Sequence, residues 1–153
     1  MKTIFYYVLA ACAVLFTACQ NDNSVNPRPT EEIVGKATIG GKVKAELNNT
    51  STGLESVPQG TKVIAEISTA DLALTVNAAA TYPKKYYETT VSTTGEYSVE
   101  VEAGPRGTTV TLYFADFRAD VTTATTPVST VFTTTPRTSF VVKNQSKILD
   151  VNY

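Results

Sequence analysis

The chain has no histidine, no tryptophan and only two cysteines in 153 residues. Without histidine, the commonest general base, the nucleophilic triads built on it and the commonest zinc ligand are missing. Both thiols, Cys12 and Cys19, sit near the N-terminus, so residues 20–153 hold no cysteine and no disulfide framework. Neither sign of charge dominates: 13 Lys+Arg stand against 14 Asp+Glu, a formal net charge of −1. That balance lacks the basic footprint of a nucleic-acid binder, and no nucleic-acid partner is expected. No capped helical pattern of ten residues and no phosphate-cradling glycine loop can be read. These absences lead to the expectation of a non-enzyme that needs no cofactor.

What is abundant is strand-forming. Threonine occurs 26 times and valine 18 times. The length fits one domain large enough to bury a core unaided.

The N-terminus reads Met1-Lys2-Thr3, an apolar run from Ile4 to Ala18, then a polar stretch from Cys19. A single positive charge, a short apolar run and small residues before a polar segment make a secretory signal. The run is short for a membrane span, which needs about 20 apolar residues. Phe16-Thr17-Ala18-Cys19 resembles a bacterial lipobox, in which the chain is cut before a cysteine that becomes lipid-modified. Phe16 stands where leucine is usual. Leu9-Ala10-Ala11-Cys12 matches the four-residue motif better, but cleavage there leaves an apolar segment at the new N-terminus and no polar tether. Cys19 is therefore the expected lipid anchor and Cys12 the lesser alternative. Two or three acyl chains, at about 0.8 kcal/mol per buried methylene, hold a protein stably on a membrane. The expected location is the cell envelope, at the outer membrane of a Gram-negative bacterium. Residues 1–18 are the signal and 19–36 the acylated cysteine and linker. Pro27, Pro29 and the surrounding polar residues suit a flexible spacer.

From Ala37 onward the hydrophobic period is two. Expected strands are Ala37–Leu47, Thr61–Ser68, Lys85–Ser92, Glu96–Glu102, Thr108–Ala115, Val128–Thr134, Thr138–Lys143 and Lys147–Asn152. Ser92-Thr93-Thr94-Gly95 reads as the turn of a hairpin between the third and fourth of these. Thr69–Pro83 is irregular, with Ala70–Leu74 as a short helical turn or a bulged strand. Asp116–Thr126 breaks the pattern. Seven or eight short strands at this spacing predict an all-β chain, a single two-sheet β-sandwich over residues 37–153.

Gly41-Lys42-Val43, Gly60-Thr61-Lys62-Val63, and Thr89-Thr90 followed by Gly95-Glu96-Tyr97-Ser98-Val99 together resemble the transthyretin-like (prealbumin-like) fold. They are similar in particular to carboxypeptidase regulatory-like modules of bacterial surface lipoproteins. The resemblance covers roughly Ala37 to Phe114. It implies a first Gly-x-Val on strand one, a second glycine before strand two, and a tyrosine after the hairpin turn that packs in the core. The chain departs from that pattern in Thr69–Pro83 and Asp116–Thr126.

Chemistry-bearing constellations are few. Ser146-Lys147 are adjacent, which on a strand points them to opposite faces. Glu100 and Glu102 share a face, but it is the solvent face of their strand. Oxygen ligands alone would favour calcium. Asp71, Asp116 and Asp120 lack Asp-x-Asp-x-Asp spacing, and no metal site is expected. Tyr82, Tyr86, Tyr87 and Phe117 fall in or beside the two irregular segments and are the candidate ligand-binding aromatics. Tyr86 and Tyr87 are neighbours, so one of them should face out. Nine threonines between Thr122 and Thr138 make a biased stretch. As an edge strand it is a template for pairing with another chain, bounded by Pro127 and Pro136. The expectation is a membrane-anchored lipoprotein acting as an envelope structural or protein-interaction module. The alternative is a glycan-binding module that uses the exposed tyrosines and phenylalanine.

Overall fold

Alternation of β-branched and polar residues puts one side chain in two toward a core and leaves the others in water. A computed structural model describes residues 33–153 and carries this alternation through most of its strands. The expected signal segment, both cysteines and residues 20–32 of the expected linker lie outside the described residues.

The described chain is all-β. Its strands are β1 (Gly35–Ala45), β2 (Glu55–Ser56), β3 (Lys62–Ser68), β4 (Lys84–Thr90), β5 (Glu96–Ala103), β6 (Thr108–Phe114), β7 (Phe117–Val121), β8 (Val128–Phe132), β9 (Arg137–Val141), β10 (Ser146–Ile148) and β11 (Val151–Asn152). One 3₁₀ turn, Thr69–Leu72, follows β3 and is capped by the Ser68 hydroxyl, which accepts from the Ala70 N–H at 3.3 Å. Among the described residues no helix is long and apolar enough to cross a membrane.

Three sheets form, and none closes into a barrel. β1 is the spine of the first. It pairs antiparallel with β5 and then β2, and parallel with β10 and β11. The second is antiparallel in the order β4-β3-β6-β9. The third is the β7–β8 hairpin, with Phe117 opposite Phe132 and Val121 opposite Val128.

The inward residues of both larger sheets pool in one hydrophobic cluster. It contains Ala37, Ile39, Val43 and Ala45 of β1, Tyr97, Val99, Val101 and Ala103 of β5, and Val151 of β11. Val63, Ala65 and Ile67 of β3, Val110, Leu112 and Phe114 of β6, and Val141 of β9 join them. Burying each valine, leucine or isoleucine is worth about 1.5–3 kcal/mol, which makes this cluster the main source of stability. Tyr97 packs edge-to-face on Phe114, with centroids 5.4 Å apart, and its hydroxyl donates to the Leu149 carbonyl at 2.8 Å. Burial, with a smaller contribution from the Asp150 charge, pushes its pKa up to about 12.

Several sequence expectations need correction. The Ser92–Gly95 turn forms, with Gly95 at φ +79° and its N–H donating to the Ser92 carbonyl at 3.1 Å. The strands it joins do not pair. β4 pairs with β3, and β5 pairs with β1, so the turn carries the chain from one sheet to the other. The reason lies in side-chain character. β5 has four buried positions that match β1 in register, whereas β4 has none and takes an edge.

The Asp116–Thr126 segment, expected to break the pattern, contains β7. Phe117, Ala119 and Val121 alternate there with Arg118 and Asp120, and the matching face comes from β8 rather than from the local sequence. Between the first two expected strands the chain also forms the short β2. The last expected strand is split in two at Leu149–Asp150. There the Leu149 N–H donates to the Gly40 carbonyl at 2.8 Å, and the Asp150 carboxylate accepts from the Lys42 N–H at 2.8 Å. The Leu149 carbonyl crosses so close to Gly41 that a Cβ there would collide with it.

Candidate functional site

The four aromatics singled out by sequence do not meet. Tyr82 sits in the loop before β4, where its hydroxyl accepts from the Asn77 N–H at 2.8 Å. Tyr86 is 58% exposed on the outer face of the four-stranded sheet. Tyr87, next in the chain, turns inward. It is half-buried, its ring lies 5.7 Å from the Lys85 ammonium, and its hydroxyl accepts from the Glu102 N–H at 3.4 Å. Phe117 belongs to the hairpin, stacked on Phe132 at 5.0 Å and edge-on to Tyr153 at 4.9 Å. Tyr82, Tyr87 and Phe117 therefore do local structural work at separate places, and Tyr86 faces solvent. A groove of about 820 Å³ beside Gly40, Gly41, Lys42, Glu96 and Asp150 has none of the four in its wall. Its charges are engaged in structure: Lys42 pairs with Glu96 at 3.8 Å, and Asp150 holds the Lys42 N–H.

Tyr86 does find an aromatic companion that the sequence reading missed. Tyr113 of β6 donates its hydroxyl to Glu66 of β3 at 3.3 Å, and Lys84 of β4 pairs with the same carboxylate at 3.0 Å. The Lys84 ammonium, chiefly, holds the Glu66 carboxyl below its ordinary value, and the carboxylate in turn raises the pKa of Lys84. Cross-strand register was the missing signal: Glu66 lies opposite Tyr86 on one side and Thr111, two residues before Tyr113, on the other. Period alone places Tyr113 outward but does not name its neighbours.

The threonine-rich segment has a clear structural role. β8, the strand wholly inside it, pairs with β7 and with no other strand among the described residues. β7 is tied to the body beyond its own end, where the Thr122 N–H donates to the Leu47 carbonyl and the Asn49 N–H to the Thr122 carbonyl, each at 2.9 Å. Phe117, Phe132 and Tyr153 seat the hairpin against the main core, and the Tyr153 hydroxyl donates to the Ala115 carbonyl at 2.7 Å. Val128 and Val131 of β8 are each 53% exposed. A short edge strand with two solvent-facing valines is thus held on a small, anchored hairpin. Pro127 immediately precedes it, and Pro136 follows four residues after its end.

Among the described residues, three of the acids weighed above sit in separate structural contacts. Asp71 accepts from the Thr109 N–H at 2.9 Å. Glu100 and Glu102 pair with Lys36 and Lys85, at 2.6 and 2.5 Å. Among the described residues no group of three or more acidic, histidine or cysteine side chains is placed to hold a metal ion. No protein-family model matches the chain, and a search of curated proteins returns no match.

Proposed function

We propose that this chain is a non-catalytic lipoprotein of the bacterial envelope, anchored by acylated Cys19, whose folded part is a transthyretin-like β-sandwich serving as a protein-interaction module. Two sheets sharing one core support the sandwich reading. The signal-like apolar run and the lipobox-like Phe16–Cys19 support the anchor, with Cys12 as the alternative modified residue. One observation carries the interaction reading: among the described residues β8 pairs on one side only, with β7, and carries exposed Val128 and Val131. An added strand gains main-chain hydrogen bonds at such an edge, and alternate side chains supply specificity.

A photo-crosslinking amino acid at Val131, set against one at Thr111 on the opposite sheet, tests this in native envelopes. The expected result is one dominant protein adduct from Val131 and none from Thr111. Equal labelling at both positions would refute edge docking. For the anchor, Cys19→Ala should abolish metabolic fatty-acid labelling; persistence in that variant, with loss only in Cys12→Ala, would move the modification to Cys12.

A second reading has its own observation. Tyr86 and Tyr113 present aromatic surface on either side of Glu66, an arrangement suited to a sugar ring. Adducts confined to that face, together with glycan binding that Tyr86→Ala and Tyr113→Ala both remove, would favour it.

A further inference from the structure

Between the hairpin and the end of β1 lies a pocket of about 390 Å³, lined by Glu46, Asn49, Val121, Thr123, Val128, Thr130 and Phe132. Glu46 is unusual in this molecule. Glu66, Glu88, Glu96, Glu100 and Glu102 each pair with a lysine. Glu55 accepts from the Leu47 N–H at 2.9 Å and from the Ser51 hydroxyl at 3.1 Å. Glu46 alone among the described glutamates has neither an ion pair nor a hydrogen bond, and its Oε1 is buried without a partner. A buried carboxylate oxygen left unsatisfied costs more than a satisfied one gains, so its natural complement is a donor.

The rest of the pocket narrows what that donor is. The Thr123 hydroxyl spends its proton on the Thr126 carbonyl at 2.7 Å, and the Thr130 hydroxyl spends its proton on the Val128 carbonyl at 3.3 Å. The Thr123 oxygen already accepts from the Thr125 N–H at 3.4 Å, so the Thr130 oxygen keeps the greater acceptor capacity toward a ligand. Val121, Val128 and Phe132 add apolar wall. One carboxylate, the Asn49 amide, whose oxygen can also accept, two hydroxyl oxygens and three apolar side chains suit a group rich in N–H donors on a hydrocarbon stem. A lysine side chain has this make-up: three donors on an ammonium at the end of four methylenes.

We propose that this pocket receives the lysine side chain of a polypeptide partner, with the ammonium on Glu46 and the stem against Val121 and Phe132. The source of the lysine rests on the edge-docking reading, since β8 forms one wall of the pocket and a strand added there would present side chains beside its mouth.

The test is an NMR titration of the ¹⁵N-labelled full chain in detergent with Nα-acetyl-lysine N-methylamide. Nα-acetyl-norleucine N-methylamide, which keeps the stem and lacks the charge, is the control. Saturable shifts at Glu46, Val121, Thr130 and Phe132 are expected with the lysine probe only. Glu46→Gln should weaken binding about tenfold, as expected for a lost charge-assisted hydrogen bond. Thr130→Val should weaken it less, and both variants should keep the native spectrum elsewhere. Equal shifts with norleucine, or a Glu46→Gln titration like the wild type, would overturn the proposal. The two readings fail separately. A β8 crosslink without probe binding removes the lysine pocket and leaves edge docking; probe binding without a β8 crosslink does the reverse.

Discussion

Valine 63 and valine 128 are the same side chain on strands of similar length, yet the first is fully buried and the second is 53% exposed. Val63 lies on β3, which has a partner strand on each side, and its side chain belongs to the hydrophobic cluster shared by both larger sheets. Val128 lies on β8, which has one partner strand among the described residues. The two-sheet body and the hairpin thus use the same strand-forming residues for different ends. In the body, alternation feeds a shared core. On the hairpin, only Val121 is buried, and seating depends on Phe117, Phe132 and Tyr153. A two-stranded ribbon alone is marginal in water, so the hairpin borrows its stability from the body.

Substitutions that separate the regions should show this contrast directly. Leu112→Ala in the buried face of β6 should cost the most, about 2–5 kcal/mol from lost transfer energy and a cavity. Chemical denaturation should report a lower midpoint for the whole chain. Gly41→Ala should come next, at about 1–3 kcal/mol, because the new methyl meets the Leu149 carbonyl, a backbone atom with little room to move. Hydrogen exchange at Lys42 and Leu149 should speed up if β10 and β11 pull away; unchanged exchange would show that the crossing relaxes freely.

Alkali tests both regions at once. Burial raises Tyr97 in the core to about 12, and burial likewise raises Tyr153 beside the hairpin to about 12. In the unfolded chain each phenol ionises near 10.0. Between these values the unfolded state releases protons that the folded state retains, so stability is intact below pH 10 and falls toward pH 12. Denaturation midpoints measured across that window should decline, and Tyr97→Phe should flatten the decline.

Phe132→Ala should remove the stack on Phe117, worth about 0.5–1.5 kcal/mol beyond its buried area. Exchange at β7 and β8 amides should accelerate while the global midpoint moves little. A matching global loss would show that the hairpin unfolds with the body rather than before it. The smallest effect belongs to Lys62→Ala, which removes a solvent-exposed pair to Glu88 at 3.1 Å. Its change should stay within about 0.5 kcal/mol.

Much of the body was legible before any coordinates. The inward sets Val63-Ala65-Ile67, Tyr97-Val99-Val101 and Val110-Leu112-Phe114 follow from period two, and all are buried. β7 was hidden because Arg118 and Asp120 dilute a five-residue alternation whose partner lies seven residues downstream of its end. The candidate aromatics failed to gather for a related reason. Adjacent Tyr86 and Tyr87 point to opposite faces, and Phe117 is consumed in fastening the hairpin. Tyr113 and Glu46 matter through neighbours remote in sequence, Glu66 in one case and the hairpin wall in the other.

The valine and threonine alternation already specified most strands of the body and their faces. Those are local properties, decided by side-chain identity and by the two-residue repeat of an extended backbone. Which strands pair was decided by the tertiary structure. The Ser92–Gly95 turn would serve a hairpin or a crossing between sheets equally well. The crossing wins because β5 buries four residues against β1 and β4 has none to offer. The exposed edge of β8 and the unpartnered Glu46 are likewise products of assembly, set by what the folded chain leaves unpaired.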